Sequence, residues 1–153
     1  MSTPEERIRE LGMELPEVVP PVASYVPTAR TGSLVYTAGQ IPLVKGELGL
    51  VGKVGAEVSP EEGARQARIC ALNAIAALKA EVGELSRIAR IVKVVGFVAS
   101  APDFDGQPQV INGASDLLVE VFGDAGRHAR SAVGVAALPR NVPVEVELIA
   151  EIA

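Results

Sequence analysis

The chain has 153 residues, enough for one domain around one core. Apolar residues make up 48% of it, yet no apolar run approaches the roughly 20 residues of a membrane helix. A net charge of −5 with scattered Lys and Arg, and 3% aromatics, offers neither a phosphate-binding stripe nor base-stacking platforms, which speaks against nucleic acid as a partner.

Cys70 is the single cysteine and His128 the single histidine, so neither an internal disulfide nor a protein-only zinc site is expected. The N-terminus, MSTPEERIRELG, is acidic early and lacks the apolar stretch of a secretory signal, so a cytoplasmic location is expected. A core built from Ala, Val and Gly is thin. Such a domain gains stability by burying more surface in an oligomer.

Two predicted helix starts share one spelling. Thr3-Pro4-Glu5-Glu6 and Ser59-Pro60-Glu61-Glu62 both read as capping boxes: a hydroxyl cap, Pro at the first helical position, and a Glu that reaches back. The first opens a short helix that Gly12 ends. Pro16 to Pro27 carries four prolines and reads as an extended arm. Residues 1–24 are thus an N-terminal helix and arm within a single domain spanning 1–153.

Ser33 to Ala38 reads as a strand stopped by Gly39. Ile41 to Gly55 is Gly-rich and predicts a loop, with a short strand near Leu50 to Val54. The second box opens a long helix, about Pro60 to Val82, with a broad apolar stripe. Ile88 to Ala99 is nearly continuous apolar and β-branched, as in a central strand. Pro102 to Gly106 is turn chemistry. A further helix runs from about Pro108 to Phe122, and Gly123 and Gly126 break it. Two strands close the chain, Ala129 to Ala137 and Val142 to Ile152, joined by Leu138-Pro139-Arg140-Asn141. An α+β arrangement, a sheet with both long helices on one face, buries both stripes. The other face needs cover, and another subunit can supply it.

The last two strands keep charges in apolar surroundings. Alternation puts Arg130, Ala132 and Gly134 on one face of the first, and Glu145, Glu147, Ile149 and Glu151 on one face of the second. The bland reading makes Arg130 and Glu145 surface charges, or cross-strand partners contributing under about 1 kcal/mol. The functional reading is an arginine fork for a substrate carboxylate, with a glutamate handling a proton or a water. Spacing alone favours the bland reading. Cys70, amid Ile69, Ala71 and Leu72, reads as a small core hydrophobe. Gln66 and Asn73 read as structural hydrogen-bonders, and His128 as an exposed loop residue.

Val35-Tyr36-Thr37-Ala38-Gly39-Gln40-Ile41-Pro42, with Gln66 and Asn73 on the first long helix, resembles one family's strand-loop signature. Ala129-Arg130-Ser131, followed by Leu138-Pro139 and Val144-Glu145-Val146-Glu147, is similar to the same family's C-terminal signature. The family is RidA (YjgF/YER057c/UK114), reactive-intermediate deaminases also called L-PSP endoribonucleases. The resemblance runs from about Tyr25 to the C-terminus; the longer N-terminal arm resembles that of a divergent branch.

The resemblance implies a chorismate-mutase-like fold and a homotrimer whose sheets pack inward as a barrel-like core, with sites in the clefts between subunits. It implies cofactor-free, metal-free hydrolysis of 2-imino acids, or their enamine tautomers, to 2-keto acids and ammonia. It assigns Arg130 to the substrate carboxylate and Glu145 to the attacking water. Tyr25, the Gly39 backbone and Asn112 fall at substrate-binding positions, Asn112 one residue out of the family's usual spacing to Arg130. Two positions depart: Ala38 stands where typical members have serine, and Ala132 where cysteine is frequent. Both changes widen the pocket and make it more apolar. They also raise a second hypothesis, a non-catalytic module that binds a carboxylate metabolite. RNA cleavage fits worst with the acidic, aromatic-poor composition.

Overall fold

A computed structural model describes residues 2–18 and 21–153. Within the expected arm, Val19 and Pro20 lie outside the described residues. The chain forms helix α1 (Pro4–Glu10), strands β1 (Thr28–Thr31) and β2 (Leu34–Thr37), a small hairpin of β3 (Leu43–Val44) and β4 (Glu47–Leu48), helix α2 (Pro60–Val82), strand β5 (Ile88–Ala99), helix α3 (Gln107–Phe122), and strands β6 (Ala129–Val135) and β7 (Val144–Ile152). The main sheet has five strands in the order β1-β2-β7-β5-β6. Only β5 and β6 run parallel. They are joined through α3, the crossover that a parallel pair requires.

The α+β expectation holds, and one face of the sheet carries both long helices. Val94, Val146 and Leu148 from the strands and Ile75, Leu78, Leu117 and Leu118 from the helices are all at most 1% exposed. The helices approach closely because α3 has glycine where they touch: a Cβ at Gly113 would strike the Ala64 carbonyl of α2. Gly113→Ala is therefore expected to lose about 1–3 kcal/mol, despite alanine's better helix propensity. A lower urea midpoint checks this; a higher one would show that the helices can part freely.

Helix α1 ties the layer together. Glu5 Oε2 accepts from Lys79 Nζ at 2.8 Å and from the Leu85 N–H at 3.0 Å, and Arg7 Nη1 donates to the Val121 carbonyl at 2.8 Å. Arg7 thus meets the carbonyl end of α3, and Lys79 meets that of α2 by also donating to the Gly83 carbonyl at 3.1 Å, where the helix dipoles favour cations.

Several local expectations are corrected. Thr3 and Glu6 form the full capping box. Ser59 caps α2, but Glu62 turns away to Arg65 and Gln66, so that box is half made. The strand expected near Leu50 to Val54 reduces to isolated bridges from Val54 to Val58 and Ser100. The loop instead folds at β3 and β4, turning through Lys45 and Gly46, both at positive φ. Strand β1, not foreseen, pairs with β2 through the two-residue turn Gly32-Ser33. The last two strands are shorter than expected, with Arg140 and Asn141 in the left-handed region between them.

Candidate active site

The β2–β7 ladder is interrupted where the strand-loop signature lies. Tyr36 pairs with Ile149 and pairing resumes at Gln40 and Val146, so the β2 side carries one extra residue, a bulge. Thr37 Oγ1 accepts the Leu148 N–H at 3.1 Å, replacing a ladder bond, and the Ala38 N–H goes to the Pro27 carbonyl at 2.8 Å. The Gly39 N–H has no acceptor among the described residues. A Cβ at Gly39 would run into the Glu145 carboxylate, so glycine lets that carboxylate lie against the backbone. Burial, and secondly the like charge of Glu147, push the Glu145 carboxyl above its ordinary range. A carboxyl tuned this way can exchange protons nearer neutrality.

Beside the bulge lies a groove of about 910 Å³, of ligand size. Tyr25, Ala38 and Gly39 line it with Met13, Ile41 and Leu72. Asn73 shapes its wall, donating to the Ile41 and Leu43 carbonyls at 3.0 Å each, the structural role expected of it. Gln66 likewise bonds within its helix, to Glu62 at 2.7 Å. Cys70 is fully buried against the Val144 carbonyl, and burial raises its thiol far above its usual value, so it is an inert core residue.

Arg130 stands elsewhere, on the edge strand β6. Its register neighbour on β5 is Val94, buried beneath the helices. Its Nη1 donates to Asn112 Oδ1 at 2.8 Å and to Ser115 Oγ at 3.2 Å, both on α3. Ser115 Oγ lies 2.8 Å from His128 Nε2, and His128 Nδ1 lies 2.6 Å from the Gly126 carbonyl. A carbonyl only accepts, so Nδ1 carries the ring proton. Burial lowers the His128 pKa; the Gly126 carbonyl opposes it, and the Arg130 charge adds a smaller push in the same direction as burial. Among the described residues Arg130 has no carboxylate in salt-bridge range. Ala132 follows two residues on, half-buried against the core.

The candidate residues thus fall into two groups. Tyr25, Ala38, Gly39 and Glu145 lie around the bulge; Arg130, Asn112 and Ala132 lie along β6 and α3. Glu145 alternates with the buried Val144 and Val146, so it projects from the face opposite the helices. Strand β5 also separates β6 from β7. Arg130 and Glu145 are therefore not cross-strand partners. His128 is half-buried and bonded rather than a free loop residue. Ser115 is missed by sequence reasoning; its signal is the i, i+3 spacing from Asn112, which puts both on one helix face. Among the described residues no group of His, Cys, Asp and Glu could hold a metal ion.

The family model described as "YjgF/chorismate_mutase-like, putative endoribonuclease" matches residues 5–152. The chain belongs to the YjgF/chorismate mutase-like family. The resemblance read from the two signatures is borne out, and the match takes in both residue groups. The YjgF-family chain is 42% identical over 148 residues to Protein TCP17 of Trypanosoma cruzi, covering 95% of this chain and 91% of that protein. It is similar to the crystal structure of Atu1372 from Agrobacterium tumefaciens, a protein of unknown function, with TM-score 0.93 and 46% identity over 98% of this chain and 92% of the other. It is also similar to E. coli TdcF with bound serine, with TM-score 0.64 and 27% identity over 88% and 92%. Among its described residues no helix is long and apolar enough to cross a membrane.

Proposed function

We propose that this YjgF-family protein hydrolyses small 2-imino acids to 2-keto acids and ammonia, at sites that two subunits complete together. The observation that carries this is Arg130: a half-buried guanidinium held by neutral acceptors, with no anionic partner among the described residues. Such a fork suits a ligand carboxylate. The serine in the TdcF structure belongs to the same ligand class, a carboxylate beside a carbon bearing nitrogen.

In this reading Arg130 of one subunit takes the carboxylate, with Asn112 holding the guanidinium. Gly39 of the neighbour offers its free N–H. Glu145, beside Gly39, accepts a proton from water as the water's oxygen attacks C2 of the imine. It passes that proton to the imine nitrogen, giving the carbinolamine, and then carries the remaining hydroxyl proton to nitrogen as the C–N bond breaks and the C2–O bond becomes the keto carbonyl. One water enters and one ammonia departs, so the balance needs no redox partner. Tyr25 and Ala38 border the groove that receives the substrate side chain. Ala132 leaves room beside Arg130, and only its backbone is at hand to bond the substrate.

A homotrimer with its sheets turned inward is the assembly we favour. The uncovered sheet face carries Tyr36 and Val133, 41% and 44% exposed, with Phe97 and Ile149 between them. These apolar side chains share the face with Glu145, Glu147, Glu151 and Lys93, and their exposed area is what a neighbouring subunit would cover.

The loss of side-chain polarity at Ala38 and Ala132 favours one second reading, a carboxylate-binding module without turnover. Endoribonuclease activity is less well supported, because the single histidine is tied to Ser115 and Gly126. A threonine dehydratase that supplies 2-iminobutanoate tests the first reading. Decay of the imine is expected to accelerate several-fold when this protein is added. Unchanged decay together with 2-oxobutanoate binding would leave the module; neither would sink both.

A further inference from the structure

We propose that Ser115 and His128 are positioning residues for Arg130, a relay that sets how tightly the site holds a carboxylate. This rests on the reading of Arg130 as the carboxylate fork.

An arginine on an edge strand has much rotamer freedom to lose when it binds. Here that freedom is already restricted. Nη1 has two N–H groups, and both are engaged, one by Asn112 and one by Ser115. The edge formed by Nε and Nη2 has no protein acceptor among the described residues, so it is the edge presented to a ligand.

The difficulty lies in the hydroxyl. Ser115 Oγ can donate or accept, and it supports Arg130 only if its hydrogen points elsewhere. His128 decides this. Its Nδ1–H is fixed on the Gly126 carbonyl, so Nε2 is left as an acceptor and takes the Ser115 hydrogen. Gly126 in turn is pressed against α3, where a Cβ would strike the Leu118 carbonyl. The chain therefore runs from Arg130 through Ser115 and His128 to the backbone of the turn before β6.

Every member after Arg130 is neutral. An aspartate at position 115 would also hold the guanidinium, but it would cancel the charge that the ligand needs. The relay fixes geometry and leaves the full positive charge available. Because a carboxylate contact is the same before and during the chemical step, loosening it should weaken binding without slowing the step.

The test titrates 2-oxobutanoate and measures 2-iminobutanoate turnover for wild type, Ser115→Ala, Ser115→Thr, His128→Leu and the double variant Ser115→Ala/His128→Leu. Ser115→Ala and His128→Leu are each expected to raise Kd and KM roughly fivefold to tenfold, with kcat within about twofold. Ser115→Thr, which keeps the hydroxyl, should restore binding. The double variant should be no worse than either single one, because the two act in one chain. A wild-type Kd in folded Ser115→Ala, or additive losses in the double variant, would overturn the relay. If Ser115→Ala unfolds, His128→Leu probes the same relay from outside the helix, and a wild-type Kd there overturns it equally. Arg130→Ala in the same titration separates the two readings. If it binds as wild type does, the carboxylate assignment fails; if it alone loses binding, only the relay fails.

Discussion

Arg130→Ala is expected to lower kcat/KM for the imine at least about a hundredfold, through KM, and to remove measurable 2-oxobutanoate binding. The melting temperature should stay within a few degrees. The stability half follows from position. Arg130 is on the edge strand β6, makes no ion pair among the described residues, and bonds only neutral groups that water can serve in its place. The functional half follows from charge, since nothing else in the Asn112–Ser115–His128 cluster is a cation at neutral pH. Arg130→Lys should recover little, because an ammonium cannot engage Asn112 and Ser115 and still offer a planar fork. Wild-type turnover in Arg130→Ala would overturn the site assignment.

Glu145→Gln is expected to cut kcat by about a hundredfold to a thousandfold while Kd for 2-oxobutanoate holds or tightens. Glutamine keeps the shape but cannot take the proton, and it removes a negative charge near the ligand's own. The pH dependence has a definite sign. Burial, then Glu147, raise the Glu145 carboxyl, so wild-type activity should fall on acidification at a higher pH than an ordinary glutamate would give. Stability runs the other way. A carboxyl whose pKa is raised by folding stabilises the fold while protonated, and that contribution fades as pH rises through the folded value. Near neutrality the ionised Glu145 opposes folding, so Glu145→Gln should melt no lower than wild type. Rate profiles and melting curves across pH 4 to about 8 check both halves. An unchanged kcat would remove Glu145 from the chemistry.

Much of the fold was legible because its signals are local. The stripe of α2, the β-branched run of β5 and the Thr3 box each declare themselves within one window, and all three stand as read. The failures are also physical. Glu62 spells a capping box but finds better partners in Arg65 and Gln66, one turn on. Strand β1 contains Thr28, Ala29, Arg30 and Thr31, with little apolar alternation, and is a strand because β2 offers it an edge. The hairpin of β3 and β4 depends on left-handed Lys45, which no propensity anticipates. At the site, Arg130 and Glu145 could be named from motifs. Their placement on opposite faces could not, because it depends on the register of each strand against β5, which sets Arg130 beside Val94 and Glu145 beside Phe97. Ser115 and His128 were invisible for the same reason: 13 residues separate them, and only the folded α3 and the turn at Gly126 bring them together.

The two faces also bear on inheritance. A chain damaged at Arg130 keeps its Glu145 side whole, and a chain damaged at Glu145 keeps its Arg130 side. If neighbouring subunits share each cleft, as proposed, a cell carrying both alleles assembles mixed rings in which some clefts draw a sound half from each parent. Two null alleles in this protein would then complement one another, whereas two alleles damaged on the same face would not.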